Sequence, residues 1–231
     1  GAIIHHSNLS GANLDGVDLS NKDLTGVILQ HANLSRANLD GVDLSNNDLT
    51  GVNLSGVDLR YKDLTGTILS YTILAGANLS GVDLSNKDLT GVNLSGVDLS
   101  HKDLTGTILS YTILAGANLS GVDLSHKDLT GVILQHANLS GANLDGVDLR
   151  YIYGFRGING LTGVNLTYAN LSGANLSGVD LSNKDLTGVN LSGVDLSNKD
   201  LTGVILHHAN LSGANLSGAN LDGVDLSNKD L

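Results

Sequence analysis

Six aspartates, Asp23, Asp43, Asp63, Asp83, Asp103 and Asp123, stand twenty residues apart, and Asn143 continues the series. If twenty residues make one circuit of the chain, these carboxylates line one face. Such a ladder has three chemical uses. It can imitate the phosphates of nucleic acid, which lie roughly 3.4 Å apart along each strand. It can offer oxygen ligands to a hard cation such as Ca²⁺. Most simply, it solvates an acidic face and keeps the molecule soluble.

The lysines are as regular. Lys22, Lys62, Lys87, Lys102, Lys127, Lys184, Lys199 and Lys229 each precede Asp-Leu. That slot is otherwise mostly filled by Ala, Val or Thr. A buried, uncompensated ammonium is very costly, so the expectation is that the stems line a corner and the amines snorkel outward, where they offset the aspartates. Histidine pairs occur at His5-His6 and His207-His208, but neighbours on an extended segment point apart, and no metal site is expected. Ser and Asp recur everywhere, so no unique catalytic constellation stands out. No catalytic residue and no cofactor are expected.

Apolar residues also recur on the outward side: Ile28, Ile68 and Ile108 in one series, and Ile73, Ile113 and Ile133 in the adjacent one, with Tyr71 and Tyr111 between. Outward apolar side chains of this kind mark an interface, or else a β-favouring surface with no partner.

What positions these residues is a five-residue period. Leu occupies every fifth position from Leu9 to Leu149 and again from Leu161 to Leu231. Calling this position i, residue i−2 is mostly Ala, Val or Thr, and i−1 is mostly Asn or Asp. Ser, Thr or Asp then Gly or Asn follow. An α-helix turns about 500° in five residues and would scatter the leucines over every face. A straight strand would flip alternate leucines. A short extended segment followed by a turn satisfies the pattern: i−2 and i point inward, i−1 points outward, and the next two residues turn the chain. Residues 47–86 and 87–126 are near copies, differing at Asn47/Lys87, Arg60/Ser100, Tyr61/His101 and Asn86/His126. A 40-residue copy fits two circuits of twenty, hence four sides per circuit.

The pentads Ala-Asn-Leu-Ser-Gly at 77–81 and Val-Asp-Leu-Ser-Asn resemble the pentapeptide-repeat family, whose signature is A(D/N)LXX. The resemblance covers nearly the whole chain. It implies an all-β fold, a right-handed quadrilateral parallel β-helix of about 20 residues per coil and about eleven coils at the sheet spacing of roughly 4.8 Å. Some gyrase-binding members of that family carry interruptions in the repeat, and its gyrase-inhibiting members resemble DNA as dimers joined at a C-terminal helix. This sequence has no such helix.

One solenoid over 1–231 is expected, with a first regular array at 2–149, a register break at 150–160 and a second array at 161–231. The break, Arg150 to Gly160, spaces Leu149 and Leu161 by twelve residues and holds Tyr151, Tyr153, Phe155 and Arg156, candidates for a protruding loop that touches a partner. A bulge or a relic of duplication is the alternative. The leading Gly1 and the uncapped Leu231 suggest a fragment of a longer array, or coil ends that associate.

The formal charge of −11 argues against direct binding of nucleic acid. No Cys leaves redox compartment unreadable, although a cytoplasmic address is favoured. No apolar run is long enough to span a membrane. The leading functional expectation is a non-enzymatic scaffold or protein-interaction rod with a protein partner, self-association included. The alternatives are a DNA mimic that occupies a protein such as gyrase, and a cation- or surface-binding repeat.

Overall fold

The computed structural model describes residues 4–147, 166–227 and 229. Every β-bridge between Asn8 and Asn143 is parallel and joins residues twenty apart, as in Asn53↔Ile73 and Ile73↔Asn93. One circuit therefore takes four pentads. The bridges fall into four columns, which begin at Asn8, Asn13, Asp18 and Asp123. They are isolated bridges; among the described residues no longer strand forms. The sides are too short for one, because each has a turn at both ends and leaves only residue i−1 in the ladder.

The turns follow one rule. The N–H of i+3 donates to the carbonyl of the leucine at i, as Ala12 does to Leu9 at 3.0 Å. Residue i+2 has positive φ, +54° to +61° where it is His, Asn, Tyr or Arg and +63° to +74° where it is Gly. This is the type II pattern, in which the second central residue needs the left-handed region. The Asn or Asp at i−1 reinforces each turn, since its Oδ1 accepts the N–H of i+1, as with Ser20 to Asp18 at 3.0 Å and Thr65 to Asp63 at 2.8 Å.

Inside the coils the leucines stack in one continuous core with Val and Ala at i−2. Leu49, Leu94 and Leu134 are wholly buried, each a burial worth about 2–3 kcal/mol. Thr67, Thr72, Thr107 and Thr112 also lie in the core. Their hydroxyls are satisfied by donating to leucine carbonyls of the coil before, for example Thr72 to Leu49 at 2.8 Å.

Three of the four corners carry a two-coil rhythm; the fourth runs Gly56, Gly76, Gly96 and Gly116. Down one corner run His31, Gly51, Tyr71, Gly91, Tyr111 and Gly131. Each large side chain leans over the glycine of the next coil, so closely that a Cβ on Gly91 would lie 2.4 Å from the Tyr71 ring. Glycine here is required twice, by φ and by the ring above it. This alternation accounts for a repeating unit of forty residues rather than twenty.

Across the break, Asn138 pairs with Asn170 and Asn143 with Asn175, 32 residues on. One coil thus carries twelve extra residues, and the two arrays continue as one stack. The proposed loop at 150–160, with Tyr151, Tyr153, Phe155 and Arg156, lies outside the described residues. At that fourth corner, beside the break, His136 meets Tyr168, and their rings stack at 5.0 Å and 15°.

Candidate functional site

Two surfaces carry the candidate residues, and they differ in how their coils are joined. On the face of Asn13, Asn33, Asn53, Ile73, Asn93, Ile113 and Ile133, bridges run without interruption. Each coil donates and accepts in turn, as in Leu54 N–H to Ile73 at 2.7 Å and Ile73 N–H to Val52 at 2.9 Å. Asn13 and Asn33 add an amide-to-amide bond at 3.1 Å.

The face of Asp23, Asp43, Asp63, Asp83, Asp103 and Asp123 has no bridge between any two of these aspartates. The column first closes at Asp123↔Asn143 and is bridged again at Asn143↔Asn175. Shallow recesses open here, one between Lys22–Asp23 and Asp43–Asn46 and another between Lys102–Asp103 and Asp123–Lys127.

Lysines stand in the slots beside the open pairs, and those from Lys62 to Lys127, with Lys199 and Lys229, do not snorkel outward as expected. They are half-buried, and the amines turn back to backbone carbonyls of the coil before. Lys62 Nζ donates to Leu39 and Val42, both at 2.7 Å. Lys102 donates to Val82 at 2.9 Å, Lys87 to Leu64 at 2.6 Å, and Lys199 to Val179 at 3.1 Å. An ammonium desolvated by its own stem needs acceptors, and the nearest are these carbonyls. Val42 and Val82 are the carbonyls that the N–H groups of Asp63 and Asp103 would otherwise use. Threonine in the same slot reaches a carbonyl without breaking the ladder, because its hydroxyl is short: Asp48↔Ile68 survives above Thr67.

The effect is systematic. Each lysine from Lys62 to Lys127, and Asn47 in the same slot, removes the bridge of its own side and of the side before it. Lys62 opens Asp43–Asp63 and Asn38–Asp58; Lys87 opens Ile68–Asp88 and Asp63–Asp83. Before the break the lysines occupy two corners, that of Lys22, Lys62 and Lys102 and that of Lys87 and Lys127, and the Asp face lies between them. It is opened from one corner and then from the other at successive coils.

The carboxylates themselves are turn-formers. Hydrogen bonding from Thr65, side chain first and backbone second, holds the Asp63 carboxyl below its ordinary range, and Thr105 does the same for Asp103. Ser85 acts likewise on Asp83, against a raising influence from Asp103. Burial depresses Lys102, while Asp83 and Asp98 pull it back up. Positive charge therefore does sit beneath the ladder, from inside the corner. No group of three or more His, Asp or Glu side chains among the described residues converges to hold a metal ion. The described chain has no helix long and apolar enough to cross a membrane.

The apolar candidates come together. Ile28, Ile68 and Ile108 lie in one column, alternating with Asp48, Asp88 and Asp128, and Ile73, Ile113 and Ile133 lie in the next. Ile68 and Ile108 are about half exposed, at 50% and 49%, and Tyr71 and Tyr111 occupy the corner between at 62% and 49%. Ile73 and Ile113 are more covered. Sequence reasoning missed both the inward lysine bonds and the ring-on-glycine corners. The second was signalled by alternation at i+2; the first had only the unexplained lysine slot.

Comparison with known proteins gives the lineage. The pentapeptide-repeat family model matches in 8 copies over residues 7–46, 48–86, 88–125, 112–150, 161–183 and 190–228. No curated protein sequence matches the chain. Among solved structures, the chain is similar to HetL, a pentapeptide repeat protein involved in heterocyst differentiation regulation from the cyanobacterium Nostoc sp. strain PCC 7120. Identity is 30%, over 97% of this chain and 89% of that one, with a TM-score of 0.34. It is also similar to a trypsin-treated form of QnrB1, a plasmid-mediated fluoroquinolone resistance protein, at 22% identity over 82% and 85% with a TM-score of 0.33. A third is a pentapeptide repeat protein of the Arabidopsis thaliana thylakoid lumen, at 24% identity over 61% and 65% with a TM-score of 0.15. The repeat match spans most of the sequence and implies a right-handed β-helix: the chain belongs to the pentapeptide-repeat family.

Proposed function

We propose that this chain is a non-enzymatic protein-interaction rod, about eleven coils stacked at roughly 4.8 Å per coil, that engages a protein partner through its isoleucine–tyrosine corner. One observation carries the reading. Most outward positions are occupied by Asn and Asp, which cap turns, whereas Ile68, Ile108, Tyr71 and Tyr111 stand exposed together along two adjacent sides and the corner between them. An apolar strip rimmed by polar residues is the signature of an association surface. The test is binding from a native extract, compared between the wild-type chain and an Ile68→Glu, Ile108→Glu, Tyr111→Glu variant with unchanged circular dichroism. Proteins held by the first and lost by the second support the reading; identical sets contradict it.

A second reading, a DNA mimic acting on a protein such as gyrase, is favoured by the exposed Asp face, where Asp63, Asp83 and Asp103 are held ionised by their turn bonds. It predicts inhibition of gyrase supercoiling that is lost when the six ladder aspartates become asparagine. The same asparagines would leave the turns capped.

A further inference from the structure

We propose that the isoleucine–tyrosine corner is a docking strip for a basic amphipathic helix lying along the rod axis. The inference rests on the interaction-rod reading and supplies the chemistry of the partner.

Charge selects the partner. In the outer column Ile68 and Ile108 alternate with Asp48, Asp88 and Asp128, and Asp88 and Asp128 are exposed. Few cations are placed to neutralise them. The described arginines are engaged elsewhere, Arg36 with Asp15 and Arg60 with Asp58. The ammonium groups of Lys87 and Lys127, the lysines nearest this column, donate to the Leu64 and Thr107 carbonyls. A chain of net charge −11 presents here a strip that is apolar and anionic together. A second copy would bring aspartates against aspartates, and like-charge juxtaposition opposes association. A surface that is apolar and cationic is complementary.

Spacing selects the element. Ile28, Ile68 and Ile108 recur every two coils, and so do the intervening aspartates. Two coils advance roughly 9.6 Å along the axis. Seven residues of an α-helix advance about 10.5 Å. A helix with one apolar ridge and one Lys or Arg per heptad thus keeps its apolar side chains between the isoleucines, and its cations near the aspartates, with a drift of about 1 Å per heptad. The Tyr71 and Tyr111 rings, laid against Gly91 and Gly131, provide flat, pre-ordered walls that lose little freedom on binding.

The probe is a synthetic Leu/Lys peptide of three heptads with helical periodicity, labelled and titrated with the full chain by fluorescence anisotropy. A peptide of the same composition with period-two alternation is the control. Binding of the helical peptide at least tenfold tighter than the control is expected. Ile68→Asn with Ile108→Asn, which places there the residue already found at Asn8 in that column, should weaken it at least tenfold. Asp88→Asn with Asp128→Asn should weaken it severalfold and flatten its salt dependence. Asp63→Asn, Asp83→Asn and Asp103→Asn on the other face should change it less than twofold. Equal binding of both peptides, or equal loss in the three-aspartate variant, would mean general attraction to a polyanion and would overturn the proposal. So would a dimer in sedimentation that the isoleucine variants dissolve, which would make a second copy the occupant. If the peptide fails while the glutamate variant of this corner still loses its native partners, the helix is wrong and the interaction surface stands.

Discussion

The Asn13–Ile133 face and the Asp23–Asp123 face share one repeat, one core and one turn, yet only the first is laddered from coil to coil. The outward residues alone do not account for the difference, since facing pairs that are not two aspartates also stay open, Asn38–Asp58 and Ile68–Asp88 among them. It lies one residue earlier and on the inside. Val, Ala or Thr at i−2 lets the backbones meet, whereas Lys62, Lys102 and Lys127 at i−2 place their amines on the carbonyls that a peptide N–H would otherwise use. An inward substitution thus sets the character of the outer surface: one face zipped, the other kept apart and acidic.

This contrast can be broken from either side. The largest effect should come from moving a lysine to the zipped face. Val92 is wholly buried and its neighbour Asn93 donates to Thr72 at 2.9 Å. Val92→Lys should cost about 2–4 kcal/mol through desolvation and loss of that ladder, read as a fall in the denaturation midpoint. Gly91→Ala should come next. It drives a Cβ into Tyr71 at φ +69°, with a cost of about 2 kcal/mol or more, while Gly76→Ala, which meets nothing within 4 Å, should cost only about 1 kcal/mol for its left-handed backbone. Chemical denaturation of the pair separates ring contact from backbone strain.

Closing the open face is a smaller change. Lys62→Val with Lys102→Val returns the Val42 and Val82 carbonyls to Asp63 and Asp103, and a gain of about 1 kcal/mol or less is expected, because the relief of desolvation is offset by lost attraction to Asp83 and Asp98. Thermal melts report it. Smallest is the response to acid. Asp63, Asp83 and Asp103 titrate below the ordinary carboxylate value of 3.8 in the folded chain. Their contribution is therefore present above that pH and is lost as pH falls through the lowered folded values. Melting temperature should fall on acidification below about pH 4, and less so in the Asp63→Asn, Asp83→Asn, Asp103→Asn variant.

The coil was legible in the sequence because its levels agree: the leucine period and the turn residues call for short sides joined by turns, and the duplicated forty residues fit four of them per circuit. The columns of aspartates and isoleucines followed by counting in twenties. The lysines did not follow. Snorkelling is the cheaper choice on an isolated surface, but each lysine stem enters a corner whose floor is made of carbonyls from the preceding coil, and only the stacked structure puts acceptors 2.6 to 3.4 Å away. Likewise the positive φ of Tyr71 and His31 looks unfavourable in the sequence, until the glycine twenty residues later shows what the ring rests on.

The most direct test is amide hydrogen exchange by NMR at paired positions on the two faces. Asp63 and Asp103 amides should exchange fast and those of Ile73, Asn93 and Ile113 slowly. In the Lys62→Val, Lys102→Val variant the Asp63 and Asp103 amides should join the slow class. Equal protection of both faces in the wild-type chain, or no gain at Asp63 and Asp103 in the variant, would contradict the claim that inward lysines hold the acidic face open.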